Sequence, residues 1–183
     1  MRYRRIKRQV IFFDKGVAKI IGLIIAFASA GVLTLADQLI KIWAVDNLKG
    51  QPSMEFISFG DTKILDLTYL ENDGAVFGSF SGMRWLLIAV TSLLMAFCVY
   101  YMIKHKSEKL TLVSMALILS GGIGNIIDRI FRDGKVVDYF DVQFMDFAVF
   151  NFADCCVVAG VILLIIQIIF FDIMKKDKVA ENE

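Results

Sequence analysis

Asp154 stands at the head of the last long apolar run, in Phe150-Asn151-Phe152-Ala153-Asp154, and 17 uncharged residues follow it. Asp138 precedes it by sixteen residues, in Val136-Val137-Asp138-Tyr139. A carboxylate at the edge of hydrocarbon loses hydration, so acids there are rare and are associated with function. Two carboxyls that meet over one water can hydrolyse a bond without a metal or a histidine. Like charges at close range do not both ionise readily, so one carboxyl keeps a proton while the other serves as base. The base takes a proton from water and the acid polarises the carbonyl under attack. Such a pair titrates as a unit, and the sequence fixes neither role. Spacing alone fits two ordinary interfacial acids as well.

Three further polar groups lie near apolar boundaries. Asp37 and Lys41, in Asp37-Gln38-x-x-Lys41, share one helix face at i, i+4 with the acid first, the better order for an ion pair. That pair serves a site or simply ends a helix. Asn72-Asp73-Gly74-Ala75-Val76-Phe77-Gly78 reads as a turn, since Asn and Gly tolerate positive φ. In Gly121-Gly122-Ile123-Gly124-Asn125-Ile126-Ile127-Asp128-Arg129 the glycines permit close helix approach. Asn125, one turn before Asp128 and Arg129, needs a partner because an unpaired amide in lipid is costly. Asp128 and Arg129 read as an interfacial pair.

The elements that must position these groups are membrane helices. The 183 residues are 57% hydrophobic with one proline, and mean hydropathy is +0.65. A soluble domain is usually about 45–50% apolar. Four runs, 20–36, 85–103, 110–127 and 155–171, carry no charge. Each spans roughly 26–29 Å as a helix, close to the hydrocarbon thickness. The predicted fold is therefore an all-α integral membrane protein of one domain, 1–183, with helices at about 17–36, 84–103, 110–127 and 154–171. A cleaved signal ending at Ala28-Ser29-Ala30 is disfavoured, because the apolar run continues past it into Asp37-Gln38.

Charge sets the expected orientation. Residues 1–19, 104–109 and 172–183 together hold 13 basic and 6 acidic residues, whereas 37–84 and 128–154 hold 7 and 13. Lys and Arg concentrate on the cytoplasmic side, so both termini are expected there and the motif-bearing regions 37–83 and 128–153 outside. Residues 1–16 form a basic arm, lying on anionic lipid or solvated. Residues 37–43 extend the first helix, and the chain loosens at Gly50-Gln51-Pro52. Residues 54–59 and 63–69 read as strands around Gly60-Asp61, and 136–144 is also strand-like. Cys98, Cys155 and Cys156 lack disulfide or zinc spacing and read as packing residues. The one histidine, His105, falls in the cytoplasmic link, which excludes histidine chemistry at the outer face. No nucleic-acid signal is present.

The five motifs, Asp37-Gln38-x-x-Lys41, Asn72-x-Gly74-Ala75-x-Phe77-Gly78, Gly121-Gly122-x-Gly124-Asn125-x-x-Asp128-Arg129, Gly134-x-Val136-Val137-Asp138 and Phe150-Asn151-x-Ala153-Asp154, occur in one order from residue 37 to 154. In that order they resemble bacterial lipoprotein signal peptidase, a four-helix membrane aspartyl protease family. The resemblance implies removal of signal peptides from diacylglyceryl-modified prolipoproteins, cut just before the lipidated cysteine, in the bacterial inner membrane. It implies Asp138 and Asp154 as catalytic residues, Asn72, Gly122, Asn125, Arg129 and Asn151 around the site, and Asp37 with Lys41 as a structural pair. It also implies a small extracytoplasmic β-sheet that cradles the substrate. No metal and no cofactor are expected; membrane lipid is the other partner, and the chain is expected to act as a monomer.

Three positions depart from the family pattern. Val76 stands where a second alanine is common, Ala148 where proline often precedes Phe-Asn, and Cys155 where serine is common. Residues 1–16 and 46–63 are long for the family. Two other classes stay in view. A transporter would place its polar site near the midplane, often on broken helices, and these runs carry no charge at their centres. A membrane scaffold would tolerate Asp138→Asn and Asp154→Asn.

Overall fold

A computed structural model describes residues 2–74 and 80–180, with side chains over 16–74 and 80–170. Ala75, Val76, Phe77 and Gly78 of the turn motif, and the side chains of the basic arm, lie outside the described residues. The elements run α1 (Arg2–Leu48), β1 (Met54–Phe59), β2 (Thr62–Asn72), α2 (Arg84–Lys104), α3 (Lys109–Phe131), β3 (Val136–Val142) and α4 (Phe152–Ala180). Gly16–Leu48, Arg84–Lys104, Lys109–Phe131 and Phe152–Phe170 are each long and apolar enough to cross a membrane. Successive spans alternate in direction. The late part of α1, the start of α2, the end of α3, the start of α4 and all three strands therefore meet at one end.

α3 is the central helix. In its most apolar stretch 56% of residues are buried, against 11%, 11% and 17% in the other three spans. Ala26 and Ala30 of α1, Met95, Cys98 and Met102 of α2, and Leu112, Met115, Ala116 and Leu119 of α3 form its packed core. The outer faces carry Val32, Trp85, Leu93 and Phe170, all exposed to what would be lipid. Small residues bring α3 and α4 together. A Cβ on Gly121 would strike the Ala153 carbonyl and Val157, and one on Gly160 would lie 2.6 Å from the Ser114 carbonyl oxygen. Gly122 differs, because its Cβ would meet only the flexible Met95 side chain.

α1 continues past the membrane edge near residue 36, as expected, and past the predicted end of its extension at 43, staying helical to Leu48 before the chain loosens at Gly50-Gln51-Pro52. Thirty-three residues span roughly 50 Å, more than hydrocarbon needs. Packing supports the excess: Ala44 and Leu48 are buried under Leu67, Val137 and Tyr139 of the sheet. α4 likewise starts earlier and runs longer than predicted. Cys98 and Cys156 are buried as expected, but Cys155 is exposed, because consecutive helical residues point about 100° apart.

The sheet is antiparallel in the order β1-β2-β3. β2 exceeds its predicted limits and reaches Asn72, while β3 ends at Val142, short of residue 144. The added pairs Leu70↔Asp138, Glu71↔Val137 and Asn72↔Val136 matter, since they carry Asn72 alongside Asp138. Beyond β3 the chain folds back, with Phe140 N donating to Phe150 O at 2.8 Å and Phe150 N to Phe140 O at 3.0 Å. That clasp delivers Asn151 and the start of α4 to the same strand.

The glycine contacts make distinct demands. Gly121→Ala and Gly160→Ala each force a helix off backbone and should destabilise by about 1–3 kcal/mol. Gly122→Ala should cost less, because Met95 can move. Unfolding midpoints of the three variants in detergent micelles check this, and equal losses for Gly121→Ala and Gly122→Ala would count against it.

Candidate active site

Lys41 has no exposed surface, and Asp37 and Asp128 are equally buried. Its ammonium lies 3.0 Å from Asp37 Oδ2, 2.9 Å from Asp128 Oδ2 and 2.9 Å from Asn125 Oδ1. The predicted Asp37–Lys41 pair is thus present, but as part of a larger cluster. Asp128 does not pair with Arg129; it faces Lys41 and lies 3.3 Å from Arg132 Nε. Neighbouring helical residues diverge, whereas Arg132 lies one turn on. Further donors complete the acids. Ala153 N donates to Asp37 Oδ1 at 3.0 Å, Val137 N to Asp128 Oδ2 at 3.1 Å, and Gln38 Nε2 to Asp37 Oδ2 at 3.1 Å. Gly124 makes room, since a Cβ there would sit 2.5 Å from Asp37 Oδ2.

This cluster orients the amide of Asn125. An ammonium only donates, so Asn125 must turn its oxygen to Lys41 and its NH2 the other way. That NH2 donates to Asp154 Oδ1 at 2.8 Å. Asn125 Oδ1 also accepts from Asn151 Nδ2 at 3.2 Å.

Asn151 and Asp154 form a reciprocal cap on α4. Asp154 N donates to Asn151 Oδ1 and Asn151 N donates to Asp154 Oδ2, both at 3.0 Å. A capping box of this kind satisfies two donors that a helix start leaves open. Asn151 Nδ2 donates in addition to Asp138 Oδ1 at 2.6 Å. Asp138 Oδ2 accepts from Asn72 Nδ2 at 3.0 Å, and Asn72 Oδ1 takes the Gly74 N–H at 3.0 Å. One asparagine therefore touches both aspartates, and each aspartate has donors on both oxygens.

Asp138 is 2% exposed. Burial pushes its carboxyl up to about 6, with the Asp154 charge adding to the rise and the Asn72 and Asn151 amides opposing it. Asp154 is only partly buried. The pair can therefore hold one proton between an enclosed carboxyl and a more accessible one, which is what acid–base hydrolysis requires. Among the described residues no group of three His, Cys, Asp or Glu side chains is placed to hold a metal ion.

The structure brings Asp138, Asp154, Asn72, Asn125 and Asn151 into one hydrogen-bonded set, backed by Asp37 and Lys41. Arg129 lies beside it, within electrostatic reach of both aspartates. Its Nη2 donates to Gly74 O at 2.8 Å, holding the chain just past Asn72. Gly122 is not in the set; it faces Met95 of α2. Sequence reading left Gln38, Asp128, Gly124 and Tyr139 without site roles. Tyr139 OH accepts the Phe152 N–H at 3.1 Å, and nothing local in Val-Asp-Tyr signals it.

Fold and site together define a polytopic membrane protein with a carboxylate pair at one end of its helix bundle. Residues 29–170 match the family model for signal peptidase (SPase) II. The lipoprotein signal peptidase of Clostridium acetobutylicum is 43% identical over 149 residues, covering 79% of this chain and 94% of that one. Those of Clostridioides difficile and Lactococcus lactis subsp. cremoris are 40% and 38% identical, each over 74% of this chain and covering 88% and 87% of theirs. Two solved structures of bacterial membrane enzymes, determined by the in meso method, superpose with TM-scores of 0.68 and 0.69 at 29% and 32% identity. They cover 79% and 78% of this chain, and 87% and 91% of their own. The chain belongs to the signal peptidase II family, and it is a peptidase of the bacterial membrane.

Removing the buried cation tests the cluster. Lys41→Met leaves two acids enclosed without their partner and should cost about 3–5 kcal/mol. Asp37→Asn combined with Lys41→Met should recover part of that loss. Unfolding in micelles compares them, and wild-type stability in Lys41→Met would show that the cluster is not structural.

Proposed function

We propose that the chain is an aspartic endopeptidase that removes signal peptides from diacylglyceryl-modified prolipoproteins, cutting just before the lipidated cysteine. The observation that carries this reading is the linkage of Asp138 and Asp154 through Asn151, at a membrane edge, in a member of the signal peptidase II family. The relatives are named lipoprotein signal peptidases, which supplies the substrate class.

The chemistry follows from the pair. The ionised carboxyl takes a proton from water, and the new oxygen bonds to the scissile carbonyl carbon. The protonated carboxyl gives its proton to the carbonyl oxygen. When the tetrahedral intermediate collapses, the C–N bond breaks and the cysteine nitrogen leaves as an amine after taking a proton from the pair. Asn72, Asn125 and Asn151 hold the carboxyls, Arg129 holds the adjoining chain, and Asp37 with Lys41 supports Asn125. Gly122 supports from the packing side. A signal peptide is itself a membrane helix, so its lipidated end reaches the depth where α4 begins. The pooled basic excess of 1–19, 104–109 and 172–183, 13 basic against 6 acidic residues, supports a cytoplasmic position for both termini and an extracytoplasmic site. One domain acting as a monomer completes the reading.

Cleavage of a diacylglyceryl-modified precursor should fall by at least about 10²-fold in folded Asp138→Asn and in folded Asp154→Asn. An unlipidated precursor should stay uncut by wild type. Full activity in either variant removes that residue from the chemistry.

Acidity supplies a second test. The folded site raises the Asp138 carboxyl above its ordinary value, so its proton is kept below about pH 6 and lost above it. The pH profile of kcat/KM should therefore decline as pH rises through that region. Asn72 donates to the ionised form, so Asn72→Ala should move the decline to higher pH. An unmoved profile would sink the assignment of that limb to Asp138.

A further inference from the structure

The face of the sheet turned away from Asp138 borders a half-open cavity of about 250 Å³. Val45 and Lys49 of α1, Tyr69 and Glu71 of β2, Arg132 and Asp133 after α3, and Lys135 and Val137 at β3 line it. Strand alternation separates this space from the site, since Val137 and Tyr139 point toward α1 while Asp138 points the other way. Its floor is apolar and its rim is charged, with three cations against two acids.

The rim is arranged around one anion. Lys49 Nζ and Lys135 Nζ each lie 2.8 Å from a different oxygen of Glu71, and Tyr69 OH donates to Glu71 at 2.8 Å. The Lys135, Lys49 and Tyr69 hydrogen bonds, in that order, pull the Glu71 carboxyl down to about 2. Both lysines are half exposed, at 56% and 47%, and their stems are flexible, so this clamp can open without disturbing the core. Arg132 gives its Nε to Asp128 and also lines the cavity. Phosphate offers more acceptor oxygens than the carboxylate does, and lysine and arginine are its usual partners. The cavity sits where α1 and α3 end.

We propose that this cavity binds a phosphate group through Lys49, Arg132 and Lys135, with Glu71 as the internal anion that phosphate displaces. The phosphate comes either from an anionic lipid headgroup or from solution. The inference does not depend on the proposed peptidase chemistry, because its readout is binding.

The test titrates inorganic phosphate into detergent-purified full-length protein at constant ionic strength and follows the unfolding temperature. The same measurement is made in discs of phosphatidylglycerol and of phosphatidylcholine. Saturable stabilisation by phosphate supports the site, and stabilisation by phosphatidylglycerol discs alone supports it with lipid as the source. Lys49→Gln with Lys135→Gln should weaken binding by about tenfold or more. Glu71→Gln should tighten it severalfold, whereas Glu55→Gln, an acid elsewhere on the sheet, should leave it unchanged. The proposal is overturned if neither probe gives a saturable effect, if the double lysine variant binds as wild type does, or if Glu55→Gln tightens binding as much as Glu71→Gln.

Discussion

A lysine with no exposed surface must place all three of its ammonium protons on protein acceptors, and in this chain that demand organises the outer end of the molecule. Lys41 places them on Asp37, Asp128 and Asn125, so α1 and α3 are joined at one point. Two acids against one lysine leave a surplus of negative charge. Arg132, Gln38 and the N–H groups of Ala153 and Val137 meet it, bringing β3 and α4 to the same place. A buried ion cluster is seldom a source of net stability, because desolvation offsets most of the attraction. Its physical role here is directional. Lys41 fixes which way the Asn125 amide turns, and Asn125 in turn presents its NH2 to Asp154.

The start of α4 obeys a related constraint. A helix leaves its first N–H groups without intrahelical partners, and inside a bundle they cannot rely on water. Here Phe152 N goes to Tyr139 OH, Ala153 N to Asp37, and Asp154 N to the Asn151 side chain. Cys155 N returns to Asn151 O at 3.3 Å. The donors are met by a strand, a neighbouring helix and the cap itself, so α4 cannot rotate or slide without orphaning one of them. Asp154 rides on this turn. Its position relative to Asp138 is thereby set by satisfied backbone groups as much as by its own contacts.

What was legible in the sequence follows the range of each interaction. The spans were readable because their uncharged runs match the bilayer, and the Asp37–Lys41 pair because four residues make one helical turn. The rest of the cluster depends on contacts across the fold. Asp128 next to Arg129 suggested a pair, yet helix phase turns it toward Lys41. Residues 44–48 look undistinguished until a sheet covers them, so the length of α1 was missed. Gly121 and Gly122 are the same residue type, and only helix phase decides that the first meets the Ala153 carbonyl and the second meets Met95. Asn72 and Asp138 are 66 positions apart. Only the motif order, not local pattern, joined them before the sheet register did.

The two aspartates differ in the stiffness of what holds them. Asp154 takes its donors from Asn125 and Asn151, both tied into the buried cluster and the α4 cap. Asp138 takes one donor from Asn151 and the other from Asn72, at the end of β2. Past Asn72 the chain is held by Arg129 on Gly74 O and by Ser81 Oγ on Asp73 at 2.6 Å. It then turns through Phe80 at φ 60 and Gly82 at φ 75. A phenylalanine at positive φ costs of order 1–3 kcal/mol and persists only where its surroundings impose it. Displacing Asn72 would remove one donor from Asp138 and leave both donors of Asp154 in place. Because that amide favours the ionised carboxyl, its withdrawal strengthens the hold of Asp138 on a proton. The proton affinity of the enclosed aspartate thus depends on where the end of β2 holds the Asn72 amide.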